Sequence, residues 1–101
     1  MQVAPFRSYL RRFAINPATN KPIIASTVER YIQDIDLIER RLKEKGFSTN
    51  IDELPLGILG NLVETRMTDI VGQMDETSIQ NYQTSGRHYV SFRKQNNVQA
   101  Q

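Results

Sequence analysis

The residues best suited to chemistry in this 101-residue chain are its single histidine and the serines around it. His88 lies three residues after Ser85 and three before Ser91, so either hydroxyl would lie near the imidazole on a helix. A hydrolytic triad also requires a carboxylate, and no acidic residue follows Glu76. The spacing is that of helix neighbours and does not indicate a nucleophilic site.

Other catalytic patterns are also incomplete. The chain has no cysteine, which excludes disulfides, a thiolate nucleophile and thiolate metal sites. A zinc site at His88 would need carboxylates for its other ligands, yet Asp34 and Asp36 are two residues apart and cannot face each other on a helix. Gly57 and Gly60 lie in an apolar run without the lysine of a phosphate-binding loop. We therefore expect a protein that is not an enzyme and holds no metal or cofactor.

Cations are concentrated at the two ends of the chain, although the net charge is only +2. Residues 1–25 carry four bases and residues 77–101 carry three, with no acid in either segment. Residues 26–45 are neutral overall, whereas 46–76 contain six acids against Arg66 alone. If the terminal helices lie side by side, their cations form one positive face, as expected of a nucleic-acid-binding protein. The alternative is a chance asymmetry in a small domain.

Hydrophobic periodicity predicts four helices and no strand, with no apolar stretch long enough to span a membrane. The predicted helices cover residues 5–15, 27–45, 55–71 and 77–95. Together they predict one compact all-α domain over residues 1–95, followed by a flexible tail at 96–101. We expect a cytoplasmic protein, since the N-terminal segment does not resemble a signal peptide.

Capping and turn residues set the predicted boundaries. Ser26 followed by Glu29 has the spacing of a capping box, and Gly46 is a typical helix end. The last helix is capped by one of three residues: Asp75, Thr77 or Ser78. Residues 16–25 are predicted to form a loop. Four side chains in the connections are expected to enter the core: Ile23, Ile24, Phe47 and Ile51.

The last helix carries an apolar stripe and an opposite polar side. The stripe consists of Ile79, Tyr82, Gly86, Tyr89 and Val90. The other positions offer hydrogen-bond donors and cations: Asn81, Thr84, Ser85, Arg87, His88, Arg93 and Lys94. The stripe predicts a buried face, and the polar side is suited to an anionic partner or to water.

Two segments resemble the N-terminal SAM-like, core-binding domain of phage integrases and other tyrosine recombinases. They are STVERYIQDIDLIERRL, from Ser26 to Leu42, and NYQTSGRHYVSF, from Asn81 to Phe92. The family helix T-x-x-x-Y-x-x-D-I is matched by Thr27, Tyr31, Asp34 and Ile35. The family pattern S-A-L-R-x-Y-x-x-F is matched for the most part by Ser85, Gly86, Arg87, Tyr89 and Phe92, with glycine in place of the usual alanine. The resemblance covers about residues 5–95 and implies a four-helix SAM-like bundle.

The recombinase catalytic domain has no counterpart in this chain, so the resemblance implies a DNA-binding half without strand cleavage. Such a chain would be a fragment of a longer protein or a small phage or mobile-element protein connected with DNA integration and recombination. The implied candidate contacts to DNA are Ser26, Thr27, Arg30, Ser85, Arg87 and His88, of which Thr27, Ser85 or Arg87 would add groove contacts. The implied phosphate contacts are Arg11, Arg12, Lys21, Arg93 and Lys94. For each of these residues, the alternative is solvent exposure or helix capping.

Two functions from different classes follow. The first is a module that binds double-stranded DNA, and the second is a protein-interaction module, such as a regulator or inhibitor, whose acidic segment could mimic a nucleic acid. A structural homo-oligomer is a third possibility. The DNA-binding interpretation requires the terminal cations to share one surface, and an Arg87 held by a carboxylate from the middle of the chain would argue against it.

Overall fold

The computed structural model of the protein describes residues 1–16, 18–47 and 50–100, with side chains as far as Gln95. The elements are helix α1 (Val3–Phe13), strands β1 (Ile15–Asn16) and β2 (Lys21–Pro22), helix α2 (Ala25–Glu44), a 3-10 turn (Ile51–Glu53), and helices α3 (Leu56–Thr65), α4 (Met67–Val71) and α5 (Glu76–Ala100). The predicted compact all-α bundle is confirmed, and its Cα radius of gyration is 13.2 Å. Residues 96–100, predicted as part of a flexible tail, continue α5, and Gln101 lies outside the described residues.

The predicted third helix is two helices, so the described chain contains five α-helices rather than four. The break lies at Arg66, whose φ of −125° and ψ of 15° are not helical. Just before it, the Thr65 hydroxyl donates to the Asn61 carbonyl at 2.8 Å, a back-bond that bends helices. The change of direction lets α3 bury its apolar side on α5 while α4 also contacts α2.

Helix α2 does not begin with the predicted capping box. It starts at Ala25 with Ile24 at the N-cap position, and no side chain caps its first turn. Glu29 instead accepts a bidentate hydrogen bond from Arg7 on α1, at 2.8 and 2.7 Å. The Glu29 carboxylate therefore binds Arg7 on another helix, whereas the capping-box pattern predicted that it would bind the backbone N–H of Ser26.

The ends of the second and last helices agree with the sequence patterns. Gly46 has a φ of +81°, and the Phe47 N–H donates to the Leu42 carbonyl at 3.1 Å, which closes the end of α2. Among the three predicted caps of α5, Asp75 is used, since its carboxylate accepts from the Ser78 N–H at 2.9 Å.

The predicted loop at 16–25 contains a short antiparallel hairpin formed by β1 and β2. Its turn is held by the Asn16 side chain, which accepts from the Ala18 N–H at 2.9 Å, and by Asn20 at a φ of +56°. Pro17 lies outside the described residues. Ile24 is 68% exposed, so the prediction that it enters the core is wrong. Ile23 is partly buried and packs against the core.

Three aromatic rings join the first and last helices at the centre of the core. Phe6 meets Tyr89 edge-on with ring centroids 4.8 Å apart, and Phe92 lies 5.4 Å from Phe6. The Tyr89 hydroxyl donates to the Asp52 carboxylate and accepts from the Gln2 N–H. The polar tip of a buried ring is thereby satisfied.

The connection after α2 is anchored by one of its two predicted residues. Ile51, in the 3-10 turn, is buried, which confirms the prediction. Phe47 is 50% exposed, so its predicted burial is wrong. The helix end at Gly46 directs Phe47 along the surface instead.

Gly86 allows α5 to approach α3 closely. A Cβ placed on Gly86 would lie 2.8 and 2.9 Å from the two methyl carbons of Val63, well inside van der Waals contact. Valine has few rotamers in a helix, so it cannot easily move aside. A glycine at position 86 is therefore required by this packing.

We expect Gly86→Ala to destabilise the protein by about 1–3 kcal/mol, because the overpacking outweighs the better helix propensity of alanine. Urea unfolding followed by circular dichroism measures this. Gly60→Ala is the matched control, since a Cβ on Gly60 meets no atom within 4 Å. The control should be neutral or more stable by up to about 1 kcal/mol. Equal stability of Gly86→Ala and the parent would contradict the conclusion that the contact with Val63 requires glycine at this position.

Candidate nucleic-acid interface

Arg87, a predicted DNA contact, is held by a carboxylate from the acidic middle of the chain. Its guanidinium binds Glu64 on α3 through two hydrogen bonds, at 2.6 and 2.9 Å. The hydrogen bond from Arg87 lowers the pKa of the Glu64 carboxyl, and the same bond raises the pKa of Arg87. Both side chains are about half exposed, so the pair is solvent-screened. Glu64 offsets the charge of Arg87 and uses two of its five N–H donors, so Arg87 attracts a phosphate less strongly than an unpaired arginine would.

Ser85 is fully buried and cannot contact DNA in this structure, so the prediction for Ser85 is wrong. Its hydroxyl lies 2.6 Å from the Asp34 carboxylate on α2, to which it donates. Burial raises the pKa of Asp34, and the Ser85 hydrogen bond opposes part of that effect. Two residues that match the recombinase pattern thus bind each other across the helix interface.

His88 is partly buried against Tyr31 on α2, with ring centroids 5.0 Å apart. Burial lowers the pKa of His88 below its ordinary value of 6.5, because the charged imidazolium is poorly solvated there. A predominantly neutral imidazole stacked on an aromatic ring contributes little attraction for phosphate. Its position serves packing between α5 and α2.

The remaining cations of the terminal helices lie in different directions. Arg93 donates to the Ile51 carbonyl at 3.2 Å. Lys94 lies with Arg87 along the crevice beside α3, whereas Arg12 lies in another crevice between α1 and α5, next to Phe13. The terminal helices do pack together, but the predicted single positive face is wrong, because α5 is packed on both flanks and its cations are divided between them.

Three predicted contacts do come together, at a cleft between the hairpin and the start of α2. Lys21, Thr27 and Arg30 line this cleft, which has a volume of about 480 Å³. Lys21 and Arg30 are exposed, and Lys21 forms no ion pair with any described residue. Arg30 lies over the Tyr31 ring, with its guanidinium carbon 5.2 Å from the ring centroid. The cleft thus offers two cations, a hydroxyl and an aromatic ring.

Arg11 and Ser26 lie near the same end of α2. The pKa of Glu29 is lowered chiefly by its hydrogen bond from Arg7, and the Arg11 charge adds a smaller contribution. Arg11 is therefore close to the first turns of α2. Ser26 is exposed and caps no helix.

The hairpin supplies the other wall of the cleft, and the sequence did not predict it. Asn16 and Thr19 line the cleft with two exposed apolar side chains, Ile15 and Ile24. A two-residue strand pairing leaves almost no periodic signal. The local indication was the pair of asparagines and the pair of prolines within residues 16–22.

The acidic segment at 46–76 is largely occupied by contacts within the chain. Asp52 binds the Tyr89 hydroxyl, Glu64 binds Arg87, Asp69 binds Arg66 and Asp75 caps α5. An acidic surface that mimics a nucleic acid needs unpaired carboxylates. At least four of its six acids therefore make contacts within the chain, and three of these, Asp52, Glu64 and Asp69, are paired with a cation.

Comparison with protein-family models, curated proteins and solved structures gives no match for this chain. Within the described ranges, none of the helices combines the length and apolar character needed to cross a membrane.

Partial burial of His88 predicts a pH dependence of stability. The unfolded histidine, with its ordinary pKa of 6.5, binds protons more readily than the folded one, so acidification favours unfolding. We expect the contribution of the neutral His88 to the free energy of unfolding to be fully present above pH 6.5. It should be lost as the pH falls towards the lowered pKa of His88 in the folded protein. Urea midpoints between about pH 7.5 and pH 5.5 measure it.

His88→Gln is the control for this prediction, because glutamine does not titrate. The variant should lose less stability than the parent over the same pH interval. Parallel pH profiles for the two proteins would show that the imidazole is not desolvated by Tyr31 and its neighbours.

Proposed function

We propose that this chain is a non-catalytic helical module that binds double-stranded DNA through the cleft between the hairpin and α2. The observation that carries the proposal is the convergence of Lys21, Thr27 and Arg30, from two separate segments, around one cleft. All three were expected contacts from sequence. Cations near a hydroxyl donor are suited to phosphate oxygens.

The resemblance to recombinases also favours DNA binding at this end of the molecule. In that family the start of the second helix meets DNA, and Thr27 and Arg30 occupy this position here. The second expected surface, on α5, does not support the proposal in the same way, because Ser85 is buried and Arg87 is paired. The single positive face and the unpaired Arg87, on which the interpretation of the sequence depended, are both absent, so the proposal depends on the cleft alone and the interface is smaller than the sequence predicted. By the same resemblance, we place the protein among phage or mobile-element proteins.

Affinity at such an interface would come chiefly from counterion release. Each phosphate neutralised by a lysine or arginine adds about one unit to the dependence of log affinity on log salt concentration. Lys21 and Arg30 would account for about two of these units. Arg11 could add a further contact where α1 approaches α2.

The test is the binding of fluorescent duplex DNA at several salt concentrations by the parent and by Lys21→Ala with Arg30→Ala. We expect the double variant to bind at least about tenfold more weakly at low salt, with a salt slope smaller by about two. Both side chains are exposed, so the fold should be retained.

Arg40→Ala with Lys43→Ala is the matched control, because it removes the same charge from exposed positions nearer the other end of α2. This control should bind like the parent. Equal weakening of both double variants, or a parent Kd weaker than about 10⁻⁴ M at low salt, would overturn the proposal. Selective weakening by Arg87→Ala with Lys94→Ala would place the contact on α5 instead.

A protein-interaction module is the second candidate, and the exposed isoleucines of the same cleft favour it. Ile15 is 53% exposed and Ile24 is 68% exposed, although neither can recognise a phosphate. Apolar side chains beside cations are common at protein interfaces. On this interpretation the cleft receives an acidic, partly apolar segment of another protein.

Ile15→Ser with Ile24→Ser separates the two candidates. If the cleft binds DNA phosphates, this variant should keep the parental DNA affinity within about twofold. If the cleft binds a protein, a stoichiometric partner that survives nuclease treatment in a pull-down should be lost with this variant. A parental protein with neither duplex binding nor such a partner would contradict both candidates.

A further inference from the structure

The side chain that the fold explains least is Ile24, at the edge of the cleft between the hairpin and α2. It is 68% exposed, so it contributes little to the core. It also occupies the N-cap position of α2, with a φ of −76° and a ψ of 161°, and it caps no backbone N–H. Isoleucine is among the residues least favoured at this position, where serine, threonine, aspartate or asparagine stabilises a helix. Neither burial nor capping therefore accounts for an isoleucine here.

Ile24 belongs to a small apolar ridge, formed with Ile15 and Pro22. Ile15 pairs with Pro22 across the hairpin, which places both side chains on the same face of the two strands. Ile24 lies two residues beyond Pro22, after Ile23, which packs partly against the core. The three side chains of the ridge are exposed, and all of them line the cleft. A group of apolar side chains left in water in this way is typical of a binding surface.

The backbone beneath the ridge is fixed within the free chain. The Ile24 carbonyl accepts from the Thr27 and Val28 N–H groups at 3.0 and 3.1 Å, as the first hydrogen bonds of α2. The Ile23 N–H donates to the Ala14 carbonyl at 3.4 Å. An apolar side chain on a backbone held in this way loses little conformational freedom when it enters a partner, which favours binding.

The charges around the ridge are suited to an anionic partner. Lys21 precedes Pro22 in the hairpin, Arg30 lies on α2, and both cations are exposed. None of the described residues that line the cleft is acidic. The nearby Glu29 is bound to Arg7. Proteins that bind the DNA minor groove frequently combine cations with an isoleucine or proline that they insert between base steps.

We propose that the ridge is a wedge, in which Ile24 enters the minor groove and separates two stacked base pairs while Lys21 and Arg30 bind the phosphates beside it. The chain then bends the duplex that it binds. This inference rests on the proposed binding of double-stranded DNA by the same cleft. It adds to that proposal the groove, the deformation and a preference for duplexes that are easily unstacked.

The wedge changes the affinity for an intact duplex only slightly. Covering an exposed isoleucine is favourable, whereas unstacking a base step is unfavourable, so the two effects oppose each other. A duplex with a mismatched base pair has weaker stacking and avoids part of the unfavourable effect. The wedge is therefore detected as a bend and as tighter binding to a mismatched duplex.

Two measurements with the full chain test the proposal. Energy transfer between dyes at the two ends of a duplex of about 25 base pairs measures the bend, and competition with the same duplex carrying one central mismatch measures the preference. The parent should bend the duplex by about 20–90° and bind the mismatched duplex at least about tenfold more tightly.

Ile24→Ser should bind the intact duplex within about twofold of the parent, but without the bend and without the preference for the mismatch. Because serine is a favoured N-cap residue, this variant should also melt at a higher temperature than the parent. Loss of the bend in a more stable protein cannot result from unfolding. A variant that bends the duplex as the parent does would overturn the proposal.

Ile58→Ser is the matched control, because it makes the same exchange on α3, outside the cleft, at an isoleucine that is 48% exposed. It should bend the duplex and prefer the mismatch as the parent does, and equal losses in the two variants would overturn the wedge. A parent that binds duplex DNA with neither a bend nor the preference would also overturn it, and would leave the proposed DNA binding in place. A parent that binds neither duplex would overturn both.

Discussion

The structure depends on the enclosure of α5 by the other helices. Tyr89, at its centre, is fully buried, with its ring against Phe6 and its hydroxyl bound to Asp52. Gly86 allows the contact with Val63 on one side, and Ser85 binds Asp34 on another. Because α5 is held on several sides, its polar residues Ser85, Arg87 and His88 make contacts within the chain.

This enclosure explains where the charged side chains lie. Arg87 emerges beside α3 and meets Glu64, whereas His88 emerges beside α2 and meets Tyr31. The acidic middle of the chain therefore neutralises part of the basic end rather than forming a separate surface. Lys21 has no carboxylate partner among the described residues, and it lies on the hairpin, which packs against α1.

A concave surface lies at each end of helix α2. Helix α2 has 20 residues and a length of about 30 Å. Its first turns carry the cleft with Thr27 and Arg30, and its last residues lead into Phe47 and an apolar groove between the end of α2, α3 and α4.

The sequence alone determined the helical class, the approximate extent of α1, α2 and α5, the glycine end of α2 and the absence of cysteine chemistry, because these follow from local spacing and composition. It also identified Thr27, Arg30 and Lys21 as candidates, but it could not show that they share a cleft. Only the tertiary structure decided that Glu29 binds Arg7 rather than capping α2, and that Arg87 binds Glu64. These partners are 22 and 23 residues apart, and a local pattern carries no information about which distant carboxylate will lie within hydrogen-bonding distance of a cation.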